Sequence, residues 1–291
     1  LEYCRKTLEL NLAIDGEFYV SLVYKAMLQD KCDIRYYDIP YFMQWGTPQD
    51  LHDYLYYSGL FRKQLNIPDK RLRIAGVTLL PMAGAGSRFV TEGYLTPKPL
   101  IAMSGKPMVL QALNDLPLTP KTILVTHNMA DIDLQSIRET LDRETTLECI
   151  NIDEVTDGQA RTCMMVAHLL RPEEPVTIGA CDNGVLYDHK RFTELFDDDD
   201  CDVIVWGAVG FPGAIDNPKA YGWLAHDGGR ILRASVKAPL SDPTTDPVII
   251  GTFTFKKARF FKDAAQEIFR AGSKVNGEYY VDSLINVCIQ Q

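Results

Sequence analysis

The feature that most constrains the fold of this chain is an alternation of short apolar runs with helix-length segments that begins at Val77. Most of the runs are continuously apolar, which is typical of strands that are buried on both faces of a parallel sheet. Amphipathic segments between such strands indicate helices that cover both faces. The strand-like runs are VTLLPM (77–82), KTILVTH (121–127), TLECINI (146–152), VTIGACD (176–182) and CDVIVWGAVG (201–210).

The spacing of the runs changes after Val203, where closer strands replace the strand–helix alternation. YGWLAHDGGRILRASVK has a Gly228-Gly229 turn between two strand-like stretches, which is typical of a β-hairpin. We therefore predict an α/β fold in which a mixed sheet is flanked by helices on both faces. The intervening helices are predicted at 107–115, 131–143, 158–170 and 189–196.

The composition is that of a globular protein. The 291 residues are 46% hydrophobic, enough for a large core, and a formal charge of −9 argues against a nucleic-acid backbone as the main partner. Since no apolar run approaches the roughly 20 residues that a membrane span needs, the cytoplasm is the expected compartment. The seven cysteines are scattered without a C-x-x-C pair, so they are predicted to be reduced thiols.

An internal repeat relates the two ends of the chain. Residues 1–29 lie over residues 262–290 without a gap, and both segments contain Gly-Glu-aromatic-Tyr-Val, at 16–20 and 277–281. The offset has the length of one domain, so the chain is predicted to begin inside the tail of one α/β unit and to end inside the tail of a second.

The predicted domains follow from this repeat. Residues 1–70 would be the C-terminal portion of one unit, with a strand, a turn and a helix that begins at Thr47-Pro48. Residues 71–291 would be a unit that lacks its own last elements. Residues 31–60 either belong to a truncated preceding copy or fold back to complete the 74–291 unit, as in a circular permutation.

A glycine-rich loop follows the first strand, and two cations accompany it. Gly84-Ala85-Gly86-Ser87 is followed directly by Arg88, while Lys98 stands between two prolines. Glycines let backbone N–H groups approach a phosphate because no Cβ intervenes. A Walker loop would need Gly-Lys-Ser/Thr, and a dinucleotide loop would need a small residue where Phe89 stands. The loop alone fits a tight turn equally well, but with its cations it predicts a phosphate site.

The segment MAGAGSRFVTEGYLTPKPLIAMSGKPMVLQAL (82–113) resembles the nucleotidyltransferases that make nucleoside-diphosphate sugars, whose first strand leads into G-x-G-[ST]-R and then P-K-P-L. The resemblance extends through much of 74–291 and, as the family's C-terminal portion, through 16–55. It is greatest to branches associated with capsule and other surface-polysaccharide synthesis. It implies a Rossmann-like mixed sheet and transfer of a nucleoside monophosphate from a nucleoside triphosphate to a sugar 1-phosphate or similar phosphomonoester, with release of pyrophosphate.

The resemblance assigns roles to the loop and its cations. Arg88 would neutralise the triphosphate and the leaving pyrophosphate, and Lys98 would contact the α-phosphate and the attacking phosphate, so these two are the implied catalytic residues. DGQARTCMMVAHLL (157–170) resembles the base-reading loop and the helix after it. The implied nucleotide-binding residues are Ala83, Gly84, Ala85, Gly86, Ser87, Gly158 and Gln159.

A magnesium site and an acceptor pocket are implied as well. Asp182, at the end of VTIGACD, and Asp282, in GEYYVDSLIN, match the family's metal aspartates, although Ser21 takes the place of Asp282 in the N-terminal copy. Lys237 resembles a lysine that holds the substrate phosphate, but its flanking residues depart from the family's E-K-P motif. The implied substrate-binding residues are Lys237, Tyr221, Gly222, Gly251 and Glu278.

Two other functions stay open. A glycosyltransferase of related fold prefers an Asp-x-Asp metal motif, whereas this chain has Asp182-Asn183-Gly184. A non-catalytic nucleotide- or sugar-phosphate-binding module is favoured by Ser21. The resemblance also allows a homo-oligomer. The base is left open, because Gln159 can pair with more than one base edge.

Overall fold

The computed structural model describes residues 1–290 except 36, 38–41, 65–70 and 130–132. The chain divides into two compact units, Leu1–Asp50 and Leu51–Gln291. No helix in the described ranges is long and apolar enough to cross a membrane. All seven cysteines are free thiols.

The first unit consists mainly of short helices. Helix α1 is Glu2–Glu9, a 3₁₀ turn is Val20–Leu22, and α2 is Val23–Gln29. Helix α3, Pro48–Gln64, begins in this unit and continues into the second. The strand predicted ahead of α3 falls in part on residues 36 and 38–41, outside those described.

The predicted start of α3 is confirmed, and local hydrogen bonds explain it. The Thr47 hydroxyl accepts from the N–H of Asp50 at 3.1 Å, while the Asp50 carboxylate accepts from the N–H of Thr47 at 3.0 Å. This reciprocal cap satisfies donors that a helix start leaves unpaired, and Pro48 in the first helical position has no N–H to lose.

The second unit is a sheet with helices on both faces. Its further helices are α4 Ser87–Thr91, α5 Met108–Asp115, α6 Leu134–Thr140, α7 Gln159–Met165, α8 His189–Asp197, α9 Pro212–Asp216, α10 Ala258–Ala271 and α11 Asp282–Gln290. Its strands are β1 Val77–Met82, β2 Ala102–Met103, β3 Lys106–Pro107, β4 Lys121–Thr126, β5 Thr146–Asn151, β6 Val176–Ile178, β7 Val203–Ala208, β8 Gly222–Asp227, β9 Arg230–Val236 and β10 Val248–Phe255. Short 3₁₀ turns are Lys98–Leu100, Ala167–Leu169 and Pro218–Ala220.

The main sheet has eight strands in the order β5-β4-β1-β6-β10-β8-β9, with β7 also pairing to β10. Strands β1, β4, β5 and β6 are parallel, whereas β10 runs antiparallel to β6, β7 and β8. The hairpin predicted around Gly228-Gly229 is formed by β8 and β9, and both glycines have positive φ, +56° and +94°. The predicted mixed α/β sheet is therefore confirmed.

Neighbouring residues of β1 show that both faces are covered. Leu79 and Leu80 are both 0% exposed, yet they belong to different cores. Leu79 packs in a core that includes side chains of α7, α10 and α11, and Leu80 packs in one that includes side chains of α5 and α6. Successive strand residues point to opposite faces, so this arrangement requires helices on each side.

Several element boundaries differ from those predicted, those of α6, α7 and β6 among them. Helix α6 is Leu134–Thr140 and so ends before the predicted 131–143 does, while residues 131 and 132 of that prediction lie outside the described part. Helix α7 ends at Met165 and is followed by a separate 3₁₀ turn. Strand β6 covers only the first three residues of VTIGACD, because the chain after Gly179 leaves the sheet and forms the loop that carries Asp182.

The sequence repeat is also a structural repeat. In each copy a helix is followed by a tight turn that an isolated β-bridge closes, Ile14 to Glu17 in the first copy and Val275 to Glu278 in the second. A second helix then follows. Three matched pairs share the left-handed backbone region: Asn11 and Gly272 (φ +48° and +64°), Asp15 and Asn276 (+53° and +51°), and Gly16 and Gly277 (both +83°).

Candidate functional site

The glycine-rich loop lies at the carboxyl end of β1, where ligands bind in parallel α/β sheets. Gly86 has φ +60° and immediately precedes α4, and a Cβ on Gly86 would lie 3.2 Å from the Cβ of Lys98. The loop and the P-K-P segment are therefore in contact. Gly84 has no atom within 4 Å of where its Cβ would be, so the loop is open there. Ala85, Ser87 and Arg88 are exposed, whereas Ala83 is only 2% exposed and packs in the core.

Lys98 forms an ion pair with Asp182, which lies in the loop after β6. The side chains are 22% and 32% exposed, so water still reaches both. The Lys98 Nζ also lies 5.9 Å from the ring centroid of Phe89 in α4. Two residues that are 84 positions apart in the chain thus meet beside the glycine-rich loop.

Two anchors hold the loop that carries Asp182. The Asn183 side-chain amide donates to the carbonyl of Ile250 in β10. The N–H of Val185 donates to Oδ2 of Asp115, at the end of α5, at 3.0 Å. The loop is therefore held by two contacts directly after Asp182 and is not a free turn.

Asp115 is an anchor with little room around it. A Cβ on Gly184 would lie 3.0 Å from its Oδ2, so a side chain there would press against the Asp115 carboxylate. Burial raises the pKa of Asp115, while the hydrogen bond from Val185 and the charge of Arg71 oppose that rise. Arg71 in turn donates to the carbonyl of Leu116 at the end of α5.

Asp282, the first residue of α11, reaches over β8. Its Oδ2 lies 2.2 Å from the position that a Cβ on Gly222 would take, so the glycine makes room for the carboxylate. Burial raises the pKa of Asp282 to about 6, although its own N–H and the charge of Lys237 oppose the rise. The carboxylate is poorly solvated and therefore gains more than a surface carboxylate would from a cation.

A cationic cluster faces Asp282. Lys237 has a left-handed backbone (φ +59°), and its Nζ donates to the carbonyl of Ala220 and lies 5.5 Å from the ring centroid of Tyr280. Burial lowers the pKa of Lys237, the Asp282 carboxylate opposes this effect, and the charge of Arg88 adds to it. Charges on α4, directly after β9 and at the start of α11 therefore interact here.

Glu278 and Tyr280 complete this cluster. Burial, followed by the interaction of the Tyr280 hydroxyl with the Glu278 carboxylate, raises the pKa of Tyr280 well above its ordinary value. The Glu278 charge also raises the pKa of Lys237. Glu278, which the sequence placed near the acceptor pocket, is therefore beside Lys237.

The predicted base-reading loop is hydrogen-bonded to Tyr279, the residue between Glu278 and Tyr280. The N–H of Tyr279 donates to the carbonyl of Asp157 at 2.7 Å, and the N–H of Ala160 donates to the carbonyl of Tyr279 at 3.0 Å. Gly158 has φ +126°, and a Cβ there would lie 2.4 Å from the Tyr279 oxygen, so only glycine fits. Gln159 is the half-buried first residue of α7.

Gly251 and Tyr221 lie in different surroundings. Gly251 has φ +74° in the irregular middle of β10, and its Cβ would lie 3.4 Å from the Cβ of Ala180, close to the Asp182 loop. The Tyr221 ring packs edge-on against Phe211, with 5.8 Å between centroids. Phe211 also contacts Tyr56 of α3, at 6.0 Å. The part of α3 that belongs to the second unit therefore packs beside the segment that carries Tyr221.

Sequence reasoning did not find three of these residues. Tyr280 could have been noticed because it lies between two predicted site residues in GEYYVD, and Asn183 because it follows Asp182. Asp115 gives no local signal, since it is one polar residue at the end of an amphipathic helix. Only the fold brings Asp115 to the Asp182 loop.

The described residues contain no group of three or more His, Cys, Asp or Glu side chains that could hold a metal ion. One of the predicted metal aspartates, Asp182, lies in the loop after β6, and the other, Asp282, begins α11; each has a lysine near it, Lys98 at Asp182 and Lys237 at Asp282.

The fold is that of nucleoside-diphosphate-sugar pyrophosphorylases and related nucleotidyltransferases. The nucleoside-diphosphate-sugar pyrophosphorylase from Vibrio cholerae RC9 is similar with a TM-score of 0.57 and 20% identity over 73% of this chain and 87% of that one. UDP-glucose pyrophosphorylase in complex with UDP-glucose is similar with a TM-score of 0.57 and 18% identity over 75% of this chain and 88% of that one. The inositol-1-phosphate CTP transferase from T. maritima is similar with a TM-score of 0.57 and 12% identity over 76% of this chain and 82% of that one.

No protein-family model matches the sequence, and no curated protein is significantly similar to it. The structural likeness confirms the fold that the motif resemblance implied. Identities of 20% or less in these three comparisons leave the substrates to be inferred from the site.

Proposed function

We propose that this protein is a nucleotidyltransferase that transfers a nucleoside monophosphate from a nucleoside triphosphate to a sugar 1-phosphate or a similar phosphomonoester and releases pyrophosphate. The observation that carries the proposal is the contact of the open Gly84–Gly86 loop with Lys98, which pairs with Asp182 at the same sheet edge. Backbone N–H groups of a loop and a lysine can bind a triphosphate, and a carboxylate beside them can hold the metal ion that accompanies the phosphates.

The reaction joins two anionic groups, so alignment and charge compensation are the main requirements. The backbone of the loop would bind the triphosphate, and exposed Arg88 would neutralise the pyrophosphate as it leaves. Lys98 would leave Asp182 to contact the α-phosphate and the attacking phosphate oxygen. Lys237, held at the end of β9, would bind the acceptor phosphate. No nucleophilic side chain is needed, because the acceptor phosphate attacks directly.

Asp182 and Asp282 would hold Mg²⁺. Carboxylate oxygens suit this hard cation, which commonly takes only one or two protein carboxylates and fills its remaining positions with water and substrate phosphates. The half-buried Asp282 carboxylate, with its raised pKa, fits a group that a cation would stabilise. Mg²⁺ would supply charge compensation on the phosphates.

The acceptor pocket would lie between β8, β10 and the start of α11. Gly222 would make room there for the Asp282 carboxylate, Gly251 would offer its backbone to the acceptor, and Glu278 would accept hydrogen bonds from sugar hydroxyls. Gly158 and Gln159 would meet the base from the other side of Tyr279. A nucleoside triphosphate substrate agrees with the expected cytoplasmic location, and the motif resemblance favours a role in forming surface-polysaccharide precursors.

Pyrophosphate release tests the proposal directly. Purified protein is incubated with Mg²⁺ and each pairing of four nucleoside triphosphates with a panel of sugar 1-phosphates and other phosphomonoesters. We expect release that depends on one triphosphate and one acceptor class, with the nucleoside-diphosphate product detected by mass spectrometry. Nucleotide binding without turnover for any pair would contradict it and favour the non-catalytic binding module.

A further inference from the structure

The two copies of the repeat differ in how much of their apolar face is buried. In the second copy Tyr279 is 5% exposed, Val281 0% and Ile285 2%. The matching residues of the first copy remain apolar or aromatic but are exposed: Phe18 by 46%, Val20 by 79% and Tyr24 by 51%. We call Phe18, Val20 and Tyr24 the docking face.

The second copy shows what covers this face. Tyr279 exchanges backbone hydrogen bonds with the Asp157–Ala160 loop, at 2.7 and 3.0 Å. Val281 and Ile285 pack in the core that contains β1, β4 and α7 side chains. The covering surface is therefore the α/β body formed by residues 71–261, and the backbone part of the contact does not depend on side-chain identity.

The first copy keeps the same turn. Asp15 and Gly16 have φ of +53° and +83°, and the matching residues of the second copy, Asn276 and Gly277, have +51° and +83°. Its Phe18 can therefore present the same N–H and carbonyl. Contiguous exposed apolar residues mark interaction surfaces. The body of residues 71–261 already holds its own tail at this position, so an equivalent body of another copy is occupied too.

We propose that residues 1–29 form the tail of a separate α/β body of this same fold. That body has no tail of its own docked, and its loop equivalent to Asp157–Ala160 binds the docking face. The composite site would carry Ser21 in place of Asp282. It would therefore lack the carboxylate that faces Gly222 in the second unit, while keeping the loop contacts.

A tail exchange tests the proposal with the body that this chain contains. Residues 262–290 of the full chain are replaced by a second copy of residues 1–29, which fits without a gap. Amide exchange of Ala160 is the local readout, because its N–H bonds to Tyr279. In the chimera we expect the Ala160 amide to exchange at a rate within about tenfold of that in the original protein. The matched control carries Ser, Asp and Ser at the transplanted Phe18, Val20 and Tyr24 positions and should lose this protection. Equal loss in both chimeras overturns the proposal.

A pair of point variants gives a second test in proteins with an unchanged backbone. Val281→Asp should lower the Tm by roughly 5 °C or more because it buries a charge, whereas Val20→Asp should leave it within about 1 °C. A fall of similar size for Val20→Asp would show that the face is already buried within this chain, and the proposal would be wrong.

Discussion

The Asp282 carboxylate lies over the Cα of Gly222, in the space that a Cβ would fill, with 2.2 Å between Oδ2 and that position. Strand β8 and helix α11 come together here because the strand has no side chain at this point. The position of the predicted metal ligand is therefore set by a residue that carries no chemistry of its own.

Gly222→Ala should displace Asp282 and lower both stability and turnover. Overpacking of this kind costs about 1–3 kcal/mol, and we expect the Mg²⁺ concentration for half-maximal activity to rise. Thermal unfolding and Mg²⁺ titration of pyrophosphate release measure the two effects. Gly59→Ala is a suitable control, since no atom lies within 4 Å of its Cβ position in α3. An unchanged Mg²⁺ requirement in Gly222→Ala would argue against Asp282 as a ligand.

Lys98→Ala should remove turnover while nucleotide still binds. If Lys98 contacts the reacting phosphates in the transition state, its loss should lower kcat by about 10²–10³-fold, as for other charge-stabilising donors. Steady-state kinetics and nucleotide titration separate the two effects. Lys106→Ala, which changes an exposed lysine of β3, is the matched control and should leave kcat unchanged. A loss confined to nucleotide affinity would indicate a binding module.

Asp115→Ala should disturb the Asp182 loop from outside the site. The substitution leaves the Val185 N–H without its acceptor, which costs about 1–3 kcal/mol for a buried donor. We expect weaker Mg²⁺ activation in addition to a lower Tm. Asp115→Asn keeps an oxygen acceptor at this position and should restore Mg²⁺ activation. If both variants show the same Mg²⁺ dependence as the original protein, Asp115 only stabilises the fold.

Asp157 should make the base-loop contact sensitive to acid. The bond from Lys274, at 2.7 Å, is the largest cause that lowers its pKa, Arg161 adds to it, and partial burial opposes it. A lowered pKa in the folded state gives stability that is present above the unfolded value of about 4 and is lost as the pH falls through the folded value.

Asp157→Asn should therefore lower the free energy of unfolding at pH 7, by less than about 1 kcal/mol because the pair is partly exposed. The difference from the original protein should shrink as the pH falls below about 4. Urea unfolding at several pH values measures it. A difference that is independent of pH would mean that the charge of Asp157 contributes nothing.

Much of the second unit could be predicted from local pattern. Continuous apolar runs such as KTILVTH identify buried strands, and Gly228-Gly229 identifies the hairpin, because strand burial and turn conformation depend on neighbouring residues. Strand β6 was predicted too long because its end depends on distant residues rather than on neighbouring ones. Its last residues are apolar enough for a strand, but contacts from Asn183 and Val185 to distant elements take them out of the sheet.

The candidate site divides in the same way. The spacing of Gly84, Gly86 and Lys98 could be recognised in the sequence because one strand, one turn and one short segment contain it. Residues from separate elements gave weaker signals: Asp115 and Tyr280 were missed, and nothing in the sequence indicates that the Arg88 charge acts on Lys237. Local backbone preference and apolar periodicity follow from the order of residues along the chain, so the order alone specified the strands, the glycine-rich loop and the repeat. Packing between elements far apart in the chain decides which carboxylate faces which cation. It also decides which copy of the repeat has its apolar face covered, so only the tertiary structure shows these two features.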